Sequence, residues 1–124
     1  MERRGTRSET LRFGWRTVPS VDIGDTLNEI ALTYLSKYAE RDDLTEDKGE
    51  FPAAARCYIG AADYATGKGE PVKTWMRDQM APWLWPEAEW DPTGDPIEML
   101  TEAAACIVAE IERLEEAKRE NDDE

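Results

Sequence analysis

Apolar positions along the chain fall into three helical stripes, separated by one aromatic loop and preceded by a short alternating arm. Ile23, Leu27, Ile30, Ala31, Tyr34, Leu35 and Tyr38 recur at three- and four-residue steps. That spacing predicts a helix over 22–41, with Ser20 or Asp22 as its cap. Phe51, Ala55, Tyr58, Ile59 and Ala62 share one face of a second helix over 51–65. Pro52 either sits in its first turn or kinks a helix that starts near Thr45, and Gly67 and Gly69 end it. Val72, Trp75, Met76 and Met80 keep helical spacing over a short segment. In the last helix, 96–115, Ile97, Leu100, Ala104, Ile107, Val108, Ile111 and Leu114 form the stripe expected to face the core. Asp95 is its N-cap, Pro96 its first residue, and Glu98 stands at the third position of a capping box.

Residues 81–96 read APWLWPEAEWDPTGDP, with four prolines and three tryptophans in sixteen positions, which precludes regular structure. Exposed tryptophan at that density is an aggregation hazard, so the loop is expected to be ordered. In the arm, Leu11, Phe13 and Trp15 alternate with Arg12, Gly14 and Arg16, a strand period that needs a pairing partner. The expected architecture is mainly α: a small helical domain of three main helices, an ordered Trp/Pro-rich loop and a short N-terminal arm or strand. Its boundaries are a basic arm at 1–20, the helical domain at 21–115 and an acidic tail at 116–124 that frays. At 124 residues this is one domain with one core.

Charge narrows the possible partners. The net charge is −13, yet residues 1–20 hold five arginines against two glutamates. An acidic body repels nucleic-acid phosphates, so direct nucleic-acid binding is not expected. The arm could instead meet an acidic neighbouring subunit, and a homo-oligomer is expected. With no histidine in the sequence, Ser-His-Asp, Cys-His and His-zinc chemistry are excluded. Cys57 and Cys106 lie in Ala-rich helical stretches and read as buried free thiols. No apolar run approaches the ~18 residues of a membrane span, so no membrane partner and a cytoplasmic location are expected.

Two carboxylate pairs at helical spacing, Glu46/Glu50 and Glu98/Glu102, could hold Mg²⁺ if they faced each other in a bundle. The run Glu46-Asp47-Lys48-Gly49-Glu50 resembles the E-E-x-G-E start of MazG-type all-α nucleotide pyrophosphohydrolases, which implies Mg²⁺-dependent hydrolysis as one alternative. The E-x-x-D of that family's second motif is missing. With Leu100 set at zero, Glu98 falls at about 160° and Glu102 at about 200°, opposite the apolar stripe. Both are therefore expected in solvent, with no catalytic residue, metal or cofactor. A second alternative is an acidic DNA mimic.

Gly49-Glu50-Phe51-Pro52-Ala53-Ala54-Ala55-Arg56-Cys57-Tyr58, then Trp83-Leu84-Trp85-Pro86 and Trp90-Asp91-Pro92, then Ala109-Glu110-Ile111-Glu112-Arg113-Leu114, resemble a family of tailed-phage and prophage proteins. Its pattern is G-E-L-A-x-A-A-x-C-Y, W-P-W and A-E-I-D-R-L, matched over 42–115. Here Glu46 stands at the family's histidine and Phe51-Pro52 at its Leu-Ala. The resemblance implies a phage accessory protein. Binding without catalysis is the expected function: sequestering a nucleotide-like small molecule, or inhibiting a host defence protein. Trp75, Trp83, Trp85 and Trp90 are candidates to stack on such a ligand, the last three in the loop where the pocket is expected, with Tyr58 beside them and Arg56 or Arg77 as a phosphate contact. The same tryptophans could instead lid the core.

Overall fold

The computed structural model describes residues 11–12, 17–18, 23–41 and 48–122. Phe13, Trp15, Ser20, Asp22, Glu46 and the last two residues lie outside them. The chain is mainly α. Two-residue strands β1 (Leu11–Arg12) and β2 (Thr17–Val18) pair antiparallel, Leu11 opposite Val18. Within the arm, these four residues are the part described. Next come α1 (Ile23–Thr33), a π turn over Tyr34–Tyr38 and a 3-10 turn over Ala39–Arg41. After these come α2 (Glu50–Lys68), α3 (Thr74–Arg77), a 3-10 turn over Glu87–Glu89 and α4 (Pro96–Asp122).

The ends of the helices follow local chemistry. Asp95 caps α4, its Oδ1 accepting the Ile97 N–H at 2.9 Å. The capping box is not closed by Glu98: the Asp95 N–H goes to Thr93 Oγ1 at 3.2 Å. Pro52 sits in the first turn of α2, where its missing N–H costs nothing. Gly69 ends that helix at φ 68, its N–H bonded to Ala65 O at 2.7 Å. A side chain there would be strained. A Cβ on Gly94 would lie 2.6 Å from Gly69 O, so the start of α4 abuts the end of α2 and the two helices run antiparallel. α4 continues through Asp122, past Glu115, where fraying is expected.

α2 is the central helix, with ten buried residues, six of them alanine. α4 packs on it through Met99, Glu102, Ala103, Ala105, Cys106 and Ala109. Small residues on both sides let two helix axes approach closely. The volume between and around them is filled by rings: Tyr38, Phe51 and Tyr58, backed by Trp83, Trp85 and Trp90.

The expected core face of α4 is therefore corrected. Ile97, Leu100, Ile107, Ile111 and Leu114 are exposed, and the helix is turned by roughly 150° from the position its apolar stripe predicts. Glu102, expected in solvent, is buried. The physical reason is the shape of α2, whose alanine face accepts Ala and Cys but not a row of branched side chains. The first stripe departs too: Leu27 of α1 and Leu35 of the turn after it are exposed, and no residue of α1 is buried. In α2, Ile59, expected on the core face, is exposed as well. The π turn that follows it carries Tyr38 inward.

Candidate functional site

Among the described residues, three stretches build a region where polar and aromatic side chains converge: the π turn after α1, the tryptophan loop and the inner face of α4. The loop is fastened at several points. Trp83 Nε1 donates to Pro86 O at 3.1 Å, and the Asp91 N–H to the Tyr58 hydroxyl at 3.4 Å. Arg77, at the end of α3, is only 2 % exposed and donates to both Asp78 (2.5 and 2.9 Å) and Glu87 (2.8 and 3.0 Å). Its guanidinium also lies 5.7 Å from the Trp83 ring centre and 5.3 Å from that of Trp90. The Glu87 hydrogen bond raises the Arg77 pKa, and the same bond lowers that of Glu87. This arginine clamps the loop, with its donors turned to Asp78 and Glu87.

The tryptophans pack on one another and on the tyrosines. Trp85 stacks on Tyr38 at 5.9 Å and meets Phe51 and Trp83 edge-on, with Arg41 over its ring at 4.5 Å. Trp90 lies 4.8 Å from Tyr58 and 4.9 Å from Trp83. Tyr58, Trp83, Trp85 and Trp90 thus form one cluster, as a shared site requires, but its rings largely serve each other. The Trp90 indole N–H is buried and finds no acceptor among the described residues. Arg56 is exposed on α2 and takes no part in the ring contacts. Arg41, ion-paired with Glu89, is the cation that lies over the Trp85 ring.

Beside the cluster a polar chain runs from the buried Tyr38 and Glu102 out to the exposed Lys37 and Asp91. Tyr38 Oη donates to Glu102 Oε1 at 2.5 Å, and Lys37 Nζ lies 2.6 Å from Glu102 Oε2 and 3.6 Å from Asp91. Burial pulls the Lys37 pKa down, but Glu102 and Asp91 outweigh it and leave the ammonium above its ordinary value. Burial also raises the hydroxyls of Tyr38 and Tyr58 and pushes the Cys106 thiol up to about 12. The Cys57 thiol is raised by the same cause. Two surface grooves share Lys37 and Asp91: one of about 400 Å³ with Tyr38, Arg41, Trp85 and Trp90, and one of about 360 Å³ with Thr33, Ile97, Glu98 and Glu102.

Among the described residues no three His, Cys, Asp or Glu side chains gather closely enough to hold a metal ion. Glu102 answers to Lys37 and Tyr38, while Glu98 is exposed and Glu50 Oε1 accepts the Lys48 N–H at 2.8 Å. No helix among the described residues is long and apolar enough to cross a membrane. Lys37 and Arg41 escaped the sequence reading, while Tyr38 was read only as a core residue and Glu102 only as a solvent-facing carboxylate. Lys37 and Arg41 look like ordinary helix-surface charges, and the π turn that brings them to the loop has no clear sequence signature. Compared with family models, curated proteins and solved structures, the chain matches none.

Proposed function

We propose that the protein is a non-catalytic binding protein that acts by occupying a protein partner. In the phage accessory setting implied by the sequence resemblance, that partner is a host defence protein in the host cytoplasm. One observation carries this reading: large apolar side chains are on the outside. Twelve of them among the described residues are 46–73 % exposed, while most of the core is alanine. A soluble monomer seldom leaves a contiguous apolar patch above a few hundred Å² without a partner for it. Leu27 and Leu32 of α1 and Leu35 of the π turn after it, each more than half exposed, are the side chains offered to that partner. The groups that could do chemistry are engaged instead: both thiols are buried with raised pKa values, and Glu102 is paired.

A second reading, a nucleotide-like ligand, is favoured by the groove beside Arg41, Trp85 and Lys37. Such a ligand must displace the existing ring and ion-pair contacts. One experiment separates the two. Purify the parent and a Leu27→Glu/Leu35→Glu variant from host-type cells, and titrate each with mononucleotides and cyclic dinucleotides while following tryptophan emission. A discrete protein retained by the parent and lost from the variant is expected, with emission unchanged. Equal retention by both contradicts the partner surface. An emission shift in both establishes the ligand reading.

A further inference from the structure

The exposed stripe of α4 has a period of its own. Ile97, Leu100, Ala104, Ile107, Ile111 and Leu114 are spaced 3-4-3-4-3, the a and d positions of a heptad repeat, over roughly 26 Å of helix. Five of the six are large and exposed. A monomeric amphipathic helix turns such a face inward. Here the inward face is already taken up by α2.

We infer that this seam pairs with the same seam of a second copy, antiparallel, in a twofold dimer. In that orientation every a residue meets a d residue: Ile97 with Leu114, Leu100 with Ile111 and Ala104 with Ile107, each pair occurring twice about the axis. All six positions find partners with none left over, as an isologous interface requires. The flanks decide the direction. A parallel pair sets Glu110 at a g position against Glu115 at the e position of the other copy, twice, a like-charge contact. The antiparallel pair separates the two glutamates, with Glu115 beside Gly94 and Glu110, ion-paired with Arg113 of its own helix, at the edge where the buried Ala103 leaves no opposing charge. At roughly 90 Å² of exposed apolar surface per side chain, five on each copy amount to about 900 Å². With Thr101 and Val108 at the edges, the area reaches the ~1,000 Å² of a specific interface.

The dimer leaves α1 for another partner, so it stands independently of the proposed function. The test uses the full chain in sedimentation equilibrium, beside Ile107→Glu and Ile111→Glu, both at exposed positions, with circular dichroism to confirm helix content. The expected result is a parent at twice the chain mass and each variant at once the chain mass, with helix retained. Orientation is read by cross-linking. Leu100→Cys mixed with Ile111→Cys should give a mixed disulfide, and neither should pair with itself. A parent that stays monomeric at its highest soluble concentration overturns the inference. So does a dimer mass that both glutamate variants leave unchanged, which would place the contact elsewhere, such as residues 1–22. Self-paired cysteines overturn the antiparallel assignment.

Discussion

Cys106 and Ile107 are consecutive residues of α4, yet the first is wholly buried and the second is 46 % exposed. The inner face they divide carries Met99, Glu102, Ala103, Cys106 and Ala109, small side chains with one methionine and one carboxylate. The outer face carries Ile97, Leu100, Ile107, Ile111 and Leu114. A helix judged by apolarity alone would be docked the other way round. What decides is the shape of the surface it meets. An alanine face on α2 rewards close approach, aromatic rings from elsewhere fill the remaining volume, and Glu102 is tolerated because Lys37 and Tyr38 satisfy it. The branched side chains are left for intermolecular use.

The largest effect expected within this comparison is at Glu102. Glu102→Ala removes the acceptor of a buried tyrosine hydroxyl and the main partner of Lys37. We expect a loss of about 2–3 kcal/mol in urea unfolding, mostly from the hydroxyl because Lys37 is partly solvated. Glu98→Ala, one turn earlier and exposed, should stay within about 0.5 kcal/mol of the parent. Equal effects at the two glutamates would mean that the inner face is wrongly placed.

A smaller effect concerns the clamp that holds the loop over the inner core. Glu87 titrates lower in the folded protein than in the unfolded chain because Arg77 donates to it. Its contribution is therefore complete above the ordinary glutamate value of about 4.3 and is lost as pH falls through the lower folded value. Acid titration of tryptophan emission should show a transition below that ordinary value, reporting Trp83 and Trp90. Glu87→Gln should remove its pH dependence. A transition that persists unchanged in the variant would assign it to another carboxylate.

The helices themselves were legible. Asp95-Pro96 and the Gly69 stop have local causes and mark where α4 begins and α2 ends. The first stripe, expected as one helix, passes into π and 3-10 turns after Thr33, and Ile59 of the α2 stripe is exposed. The tryptophan loop was legible as ordered, since three indoles in sixteen residues need cover. What periodicity could not reveal was which side of α1 and α4 meets the core. That depends on the small residues of α2 and on a π turn that changes the register at Tyr38. The same gap hid the site. Trp83, Trp85, Trp90 and Tyr58 were identifiable as a group from chemistry alone, whereas Arg41, Lys37 and Glu102 join them only through the three-dimensional path of the chain.

The most direct test places the same charge on both sides of α4. Ile107→Glu and Ala109→Glu lie two residues apart, about 160° around the helix from each other. Urea unfolding is followed by circular dichroism, at a concentration where the mass equals that of one chain. Ile107→Glu is predicted to keep a cooperative transition within about 1 kcal/mol of the parent. Ala109→Glu, which buries an unpaired charge, is predicted to cost several kcal/mol and to abolish the transition in a domain of ordinary stability. The reverse order, with Ala109→Glu tolerated and Ile107→Glu unfolded, would contradict the account.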